Sequence, residues 1–227
     1  GEVTMRVVVG KTTSKTPVFD GDLRHVVFRP YWSVPPSIQR HEIAPKVARD
    51  HSWLARNGYE IVGASGPVNA AMVEKIRTLQ VQVRQKPGNS NSLGLVKFLF
   101  PNGNNVYLHD TPSQSHFARA SRAYSHGCIR LAEPEALAAW VLRDKSEWTP
   151  EKVQKAMRGQ RDDIYVKVDR PIAVLIVYET AVAQPNGEVH FFEDVYGHDT
   201  KLMAALRPAK EKVLVAQGAA GAQVASR

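Results

Sequence analysis

The sequence predicts an α+β fold in which strands predominate over helices. Short runs rich in β-branched residues recur along the chain, and two segments after residue 130 have the spacing of amphipathic helices. A third observation is a stretch of helical character that interrupts the strand-rich first half. With 227 residues, 43% of them hydrophobic, the chain can form one large domain or one domain with an insertion.

The first half of the chain predicts two strands followed by an insertion. Residues 3–9 and 23–28 are short and rich in valine, which indicates strands. Prolines then exclude a central strand, and Ser37 to Asn57 takes on helical spacing, with Ser37 as a cap. We interpret residues 30–85 as an insertion whose helices are too short to form a core alone. The pattern leaves open whether it belongs fully to the main fold or serves as a lid.

The remaining elements are bounded by clear turn signals. Helices are predicted at 133–142 and 149–158, the second opened by Thr149 and Pro150. Further strands are predicted at 59–62, 95–100, 106–108, 163–168, 172–182 and 189–192. The last two are expected to form a hairpin. Residues 207–227, rich in alanine and glycine, are expected to form a flexible tail.

The charge balance indicates an acidic partner or simple solubility. Lys and Arg number 30 against 22 Asp and Glu, which favours attraction to nucleic acid, anionic lipid or a carboxylate-rich polymer. The basic residues are dispersed and do not alternate with aromatics, so no nucleic-acid partner is expected. No apolar run approaches the ~18 residues of a membrane span, so any membrane attachment is expected outside this chain. Because the chain opens with Gly1, we expect a trimmed or processed form, and the lack of a signal pattern says little about location.

The single cysteine defines the candidate site. One thiol excludes an internal disulfide and a cysteine-rich zinc site, and leaves a buried filler or a nucleophile. A nucleophilic cysteine needs a base or positive neighbours, hydrogen-bond donors for an oxyanion, and close access for the substrate. The hexapeptide 125–130, Ser-His-Gly-Cys-Ile-Arg, offers each of these. We therefore favour the nucleophile.

Two strand ends are expected to meet around this cysteine. If residues 125–131 are extended, His126, Cys128 and Arg130 project to one side. Tyr107 and His109 share a face of the preceding strand in the same way. A strand ending in His109, placed beside Cys128, gives a Cys–His pair with Tyr107 alongside.

The other histidines offer weaker candidates. His116, in the polar connection formed by residues 112–125, is expected to be a solvated loop residue. A zinc site from His109, His126 and Cys128 is chemically possible, but no carboxylate or second thiol stands at a recurring motif spacing. We therefore expect no metal and no other cofactor.

These motifs resemble the active site of the YkuD-type L,D-transpeptidases. That site has a histidine, a gap of about fifteen residues, and Ser/Thr-His-Gly-Cys followed by an apolar residue and Asn or Arg. Here His109 is followed by fifteen residues and then by the hexapeptide 125–130. The stretches 29–36, 91–94 and 107–112 are similar to the YcbB-like branch, which carries an inserted capping subdomain. Over about residues 4–205 the resemblance implies a YkuD-like mixed β-sandwich with residues 30–85 as its lid.

The resemblance implies a two-step reaction on peptidoglycan stem peptides. Cys128 would attack the carbonyl of the third stem residue, normally meso-diaminopimelate, and expel the terminal D-alanine. An amine of a neighbouring stem would resolve the thioester and give a 3–3 cross-link. His109 would be general base and acid, and His126 would serve positioning or electrostatics. The oxyanion hole would comprise the Gly127 and Cys128 amides with the Tyr107 hydroxyl.

Further roles implied by the resemblance concern binding and location. Ser125 would orient a histidine, Arg130 would hold a stem carboxylate or the loop itself, and Trp32 would contact substrate. Carbapenems would acylate the thiol, and the enzyme would act in the periplasm or cell envelope. Hydrolysis, 1–3 linkage, attachment of a protein amine, and a non-catalytic wall-binding module remain alternatives. The oligomeric state stays open.

Overall fold

A computed structural model describes residues 2–206, which form two compact units, one ending at Ile176 and one beginning at Val177. The architecture is α+β with more strand than helix, as the sequence predicts. The expected flexible tail, residues 207–227, lies outside the described residues. No helix in the described part is both long and apolar enough to cross a membrane.

The strands and helices have the following bounds. The strands are β1 Val7–Gly10, β2 Phe19–Phe28, β3 Trp32–Ser33, β4 Tyr59–Val62, β5 Gln82–Gln85, β6 Val96–Leu99, β7 Leu108–His109, β8 Ala123–Ser125, β9 Ile129–Leu131, β10 Ile164–Ile176, β11 Ala181–Ala183 and β12 Val189–Phe191. The α-helices are α1 Pro36–Ile38, α2 Ala44–Arg49, α3 Trp53–Arg56, α4 Ala70–Arg77, α5 Pro134–Val141 and α6 Pro150–Arg158. A π-helical turn, Gln39–Ile43, joins α1 to α2, and a 3₁₀ turn spans Gln114–Ala118.

A seven-stranded mixed sheet in the order β10-β2-β6-β7-β9-β1-β8 organises the first unit. Strands β7 and β9 are parallel neighbours, with Leu108 opposite Ile129 and His109 opposite Arg130. Both strands therefore begin at the same end of the sheet. This pairing brings the segment before β7, which holds Tyr107, beside the segment before β9, which holds Cys128.

Helices α5 and α6 pack with the sheet around the main hydrophobic core. Phe28 and Phe98 are fully buried, and Phe28 stacks on Trp148 with ring centroids 5.1 Å apart. Full burial of one such side chain stabilises the fold by about 1.5–3 kcal/mol. Thr149 caps α6 by accepting the Lys152 amide, as its sequence position predicts.

Strand β10 differs from its prediction. The sequence predicts separate strands at 163–168 and 172–182, divided by a proline. The structure has one strand, β10, paired along β2 with an irregularity between Lys167 and Ile172. Pro171 lacks an amide donor, so it interrupts the ladder locally while the backbone direction continues.

Residues 30–85, called the inserted segment below, have a core of their own. Strands β3, β5 and β4 form a separate three-stranded sheet. It shares a buried cluster with the short helices, consisting of Val34, Ile38, Ile43, Ala44, Val47, Leu54, Met72, Ile76 and Val83. The short helices do not form this core alone, because the three-stranded sheet supplies its second layer. Ser37 is not a cap, since it lies inside α1 after Pro35.

The second unit contains the predicted hairpin, with β11 paired to β12. Residues 198–206 are helical. Asp194 caps this helix by accepting the amides of His198 and Asp199, and it also accepts the Tyr178 hydroxyl at 2.7 Å.

Candidate active site

A cleft of about 670 Å³ lies between the inserted segment and the end of the sheet at which β7 and β9 begin. Seven of the eight residues singled out by the sequence line it, namely Trp32, Tyr107, His109, Ser125, His126, Cys128 and Arg130. Gly127 lies in the same loop but is buried beneath the cleft wall. The predicted constellation is therefore brought together.

The chain does not stay extended from 125 to 131, because it bends at residues 126–128, between β8 and β9. Gly127 has φ +119°, a left-handed conformation that side chains disfavour. Ser125 Oγ closes the bend by accepting the Gly127 amide at 3.0 Å and donating to the Cys128 carbonyl at 2.5 Å. The extended prediction is wrong here, because glycine allows a tight turn that this hydroxyl stabilises.

Two predicted roles change with this bend. The Gly127 amide was expected to face a substrate oxyanion, but it is bonded to Ser125 and is not free for that role. Ser125 was expected to orient a histidine, but its hydroxyl holds the loop instead. The Gly127 carbonyl accepts the Thr16 hydroxyl at 2.8 Å, so the segment after β1 supports the bend from below.

The Cys128 thiol lies against Tyr107 and the turn between β6 and β7. Its Sγ is 3.9 Å from the Asn105 carbonyl oxygen. Burial raises the thiol pKa, while hydrogen bonds from Tyr107 and the charge of Arg130 act in the opposite direction. Burial outweighs these contributions, so the resting group is a protonated thiol that needs a base before it can act as a nucleophile.

The position of Asn105 is fixed by one side chain. Asn102 donates to the Phe100 and Val106 carbonyls at 2.6 and 2.7 Å and accepts the Val106 amide at 3.2 Å. Asn105 itself has φ +54°, which asparagine tolerates better than most residues. Asn104 and Asn105 of this turn thus form part of the cleft wall.

His109 is a buried, neutral histidine, 4% exposed. Its Nδ1 lies 2.5 Å from the Asp110 carbonyl oxygen, which can only accept, so Nδ1 carries the proton and Nε2 keeps a lone pair. Burial lowers the pKa of His109 to about 4, and the neighbouring Arg130 charge adds to this. Such a group can accept a proton at neutral pH. Direct proton transfer between His109 and Cys128 stays a prediction.

Asp110 supports His109 from behind. Its carboxylate accepts the Leu95 amide at 2.8 Å and the Thr111 amide at 2.7 Å. Gly94 allows this contact, since a Cβ at that position would lie 2.3 Å from Asp110 Oδ2. Asp110 was not among the predicted site residues, although its place directly after His109 was a usable signal.

Arg130 contacts the polar connection between the two strands. Its Nη1 lies 3.4 Å from His116 Nδ1, and His116 stacks on Tyr124 with centroids 4.8 Å apart. His116 is half-buried, so the expectation of a solvated loop residue is wrong. Burial lowers the Arg130 pKa, with the cysteine acting in the opposite direction.

The inserted segment contributes directly to the cleft. Trp32 and Tyr107 line the cleft together with the thiol, and the Trp32 indole partly offsets the upward shift of the Tyr107 pKa. Burial raises the pKa of Tyr107, so its hydroxyl stays a donor. Across the cleft, His126 Nε2 lies 2.7 Å from Glu42 Oε1. No sequence signal marked Glu42, because the contact joins residues 84 positions apart.

Metal binding finds no support in the described residues. Within residues 2–206, no group of three His, Cys, Asp or Glu side chains is placed to hold a metal ion. The arrangement is instead a thiol, a neutral imidazole and hydroxyl and amide donors around one cleft. It is suited to acyl transfer through a thioester.

Two comparisons with known proteins point to L,D-transpeptidases. The family described as YkuD, the L,D-transpeptidase catalytic domain, matches residues 1–169. A Haemophilus influenzae protein named "Putative L,D-transpeptidase" is 30% identical over 205 residues, or 88% of this chain. The chain spans 41% of that relative's length.

Proposed function

The chain belongs to the YkuD family of L,D-transpeptidase catalytic domains, and on this premise we propose that it cross-links peptidoglycan stem peptides through an acyl-enzyme on Cys128. The donor is a tetrapeptide stem, cleaved before its terminal D-alanine, and the product is a 3–3 cross-link. The observation that supports the proposal is that the Cys128 thiol, Tyr107 and the neutral His109 line the same cleft.

In the first half-reaction, His109 Nε2 takes the thiol proton as Sγ attacks the carbonyl of the third stem residue. Negative charge forms on the carbonyl oxygen, where the Cys128 amide and the Tyr107 hydroxyl act as donors. The C–N bond to D-alanine then breaks. The leaving amine receives the proton from His109, and a thioester remains on Cys128.

In the second half-reaction, an amine of another stem attacks the thioester carbonyl. The new amide forms as the C–S bond breaks, and the thiolate regains a proton through His109. Arg130 holds a stem carboxylate or the polar connection, and Trp32 contacts the stem through the cleft wall. We place the enzyme at the cell envelope, in the periplasm, where such a polymer lies.

Product analysis tests this proposal. Purified protein is incubated with disaccharide-tetrapeptide, and the products are identified by mass spectrometry. A 3–3 dimer with released D-alanine is the expected result, and Cys128→Ala should give neither. Tripeptide alone would show that the enzyme hydrolyses the stem instead of transferring it. A dimer linked through L-alanine would show 1–3 instead of 3–3 linkage. No turnover by the parent protein would overturn the proposal.

We also propose that the inserted segment is the capping subdomain of the YcbB-like branch and acts as a lid. Eleven of its residues line the cleft, Trp32, Glu42 and Tyr59 among them. Its two ends are adjacent, since the Val34 amide donates to the Val83 carbonyl at 3.0 Å. A short Gly-Ser turn can therefore replace residues 37–80 with little strain on the sheet.

This deletion should reduce cross-linking by at least about tenfold. Trp32, beside Tyr107, would lose the core on which it packs, and water would reach the thioester. Far-ultraviolet circular dichroism and the thermal midpoint report whether the sheet still folds. Full transfer by a folded deletion variant would contradict the lid.

A further inference from the structure

One hydrogen bond crosses the cleft from the inserted segment to the loop that carries the nucleophile. Glu42 Oε1 lies 2.7 Å from His126 Nε2, and both side chains are about two-fifths exposed, at 41% and 39%. Because a carboxylate accepts, Nε2 is the donor, and in the neutral ring Nδ1 keeps a lone pair. The pair is thus reachable from the cleft and contains proton acceptors.

The charges that line the cleft make this pair distinctive. Among the described residues that line it, Glu42 supplies the only carboxylate, while Lys46 and Arg130 supply the cations. A carboxylate accepts about four hydrogen bonds, and His126 occupies one of these positions. An incoming ammonium group therefore finds one anionic partner in the cleft lining, the Glu42 carboxylate. Glu42 is hydrogen-bonded to His126, which lies two residues before Cys128.

We propose that Glu42 and His126 together form the site that binds the acceptor amine and takes its first proton. This inference rests on the proposed function and specifies its second half-reaction. At neutral pH the acceptor arrives as R–NH₃⁺, which cannot attack. Glu42 binds it, and one proton passes to His126 and on to solvent, so that the lone pair of R–NH₂ is free.

The remaining protons are then accounted for. The amine nitrogen forms a bond to the thioester carbonyl carbon, and the C–S bond breaks. A second proton passes from nitrogen to the Cys128 thiolate by way of His109, and the third remains on the new amide. His109 thus serves both half-reactions, whereas the Glu42–His126 pair serves only the second.

The difference between the half-reactions gives a direct test with Glu42→Gln. The matched control is Glu74→Gln, which removes one carboxylate from the exposed face of α4, paired with Arg77, away from the cleft. The rate of acylation by a carbapenem reports the first step. The ratio of cross-linked dimer to hydrolysed tripeptide reports the second, using disaccharide-tetrapeptide as donor and acceptor. Hydroxylamine, a neutral amine nucleophile, is added in a parallel reaction.

For Glu42→Gln we expect the dimer-to-tripeptide ratio to fall at least about tenfold, as for loss of one charge-assisted hydrogen bond. Acylation and hydroxylamine cleavage should stay within about twofold of the parent, and the Glu74→Gln control should match the parent throughout.

An unchanged ratio would overturn this assignment and leave the proposed function intact. A parallel loss of acylation and transfer would assign Glu42 to holding the inserted segment in place, and would overturn it equally. Failure of the parent itself to acylate would overturn the proposed function and this assignment with it.

Discussion

Burial of neutral His109 makes folding stability depend on pH in a calculable way. The pKa of His109 is about 4 in the folded protein against 6.5 for the exposed side chain. Between these values the unfolded state binds more protons, so the stability contributed by the neutral ring is present above pH 6.5 and is lost as pH falls toward 4. The loss is about 2 kcal/mol at pH 5 and about 3 kcal/mol at pH 4.

The perturbation that isolates this effect is His109→Gln, which keeps a polar side chain but removes the titration. Urea unfolding at pH 7 and pH 5 gives the change in unfolding free energy for each protein. We expect the parent to lose about 2 kcal/mol more than the variant over this interval. His51→Gln, at an exposed position, is the control and should behave as the parent. Equal losses in the parent and His109→Gln would refute the neutral buried base.

Three further substitutions follow from individual contacts. Gly94→Ala should lower the unfolding free energy by about 2 kcal/mol or more, since φ is +62° and the new Cβ would collide with Asp110; an unchanged thermal midpoint would contradict this. Ser125→Ala should lower the cross-linking rate by about 10- to 100-fold through loss of two loop hydrogen bonds, and Ser125→Thr should restore much of it; equal rates in steady-state assays would remove that role. Phe28→Ala should cost about 3–5 kcal/mol in urea unfolding because its ring is fully buried; a loss below 1 kcal/mol would show that the core repacks.

Much of the fold follows from local pattern. Helices α5 and α6 were predictable because apolar spacing and terminal residues agree, as Thr149 and Pro150 illustrate. The β11–β12 hairpin was predictable from its turn residues. The continuous strand β10 was not predictable, because Pro171 indicates a strand break in the sequence. In the structure, β10 pairs with the long strand β2 on both sides of this proline.

Site residues that are close in sequence could be predicted, whereas those brought together only by tertiary packing could not. The hexapeptide 125–130 and His109 identified the cleft, since the chemistry of a reactive thiol demands such neighbours. The bend at Gly127 depends on a backbone angle that glycine permits but does not require. Glu42 and Asn105 reach the cleft only through tertiary packing, so no local pattern could mark them.

The mass of the protein after incubation with a carbapenem, followed by tryptic mapping, tests directly whether Cys128 forms an acyl-enzyme. Cys128 is the only cysteine, and it lies in the tryptic peptide 123–130. We expect a mass gain of one carbapenem, located on that peptide and missing in Cys128→Ser. A folded parent protein that keeps its original mass, or that carries the adduct on another peptide, would contradict an acyl-enzyme on Cys128.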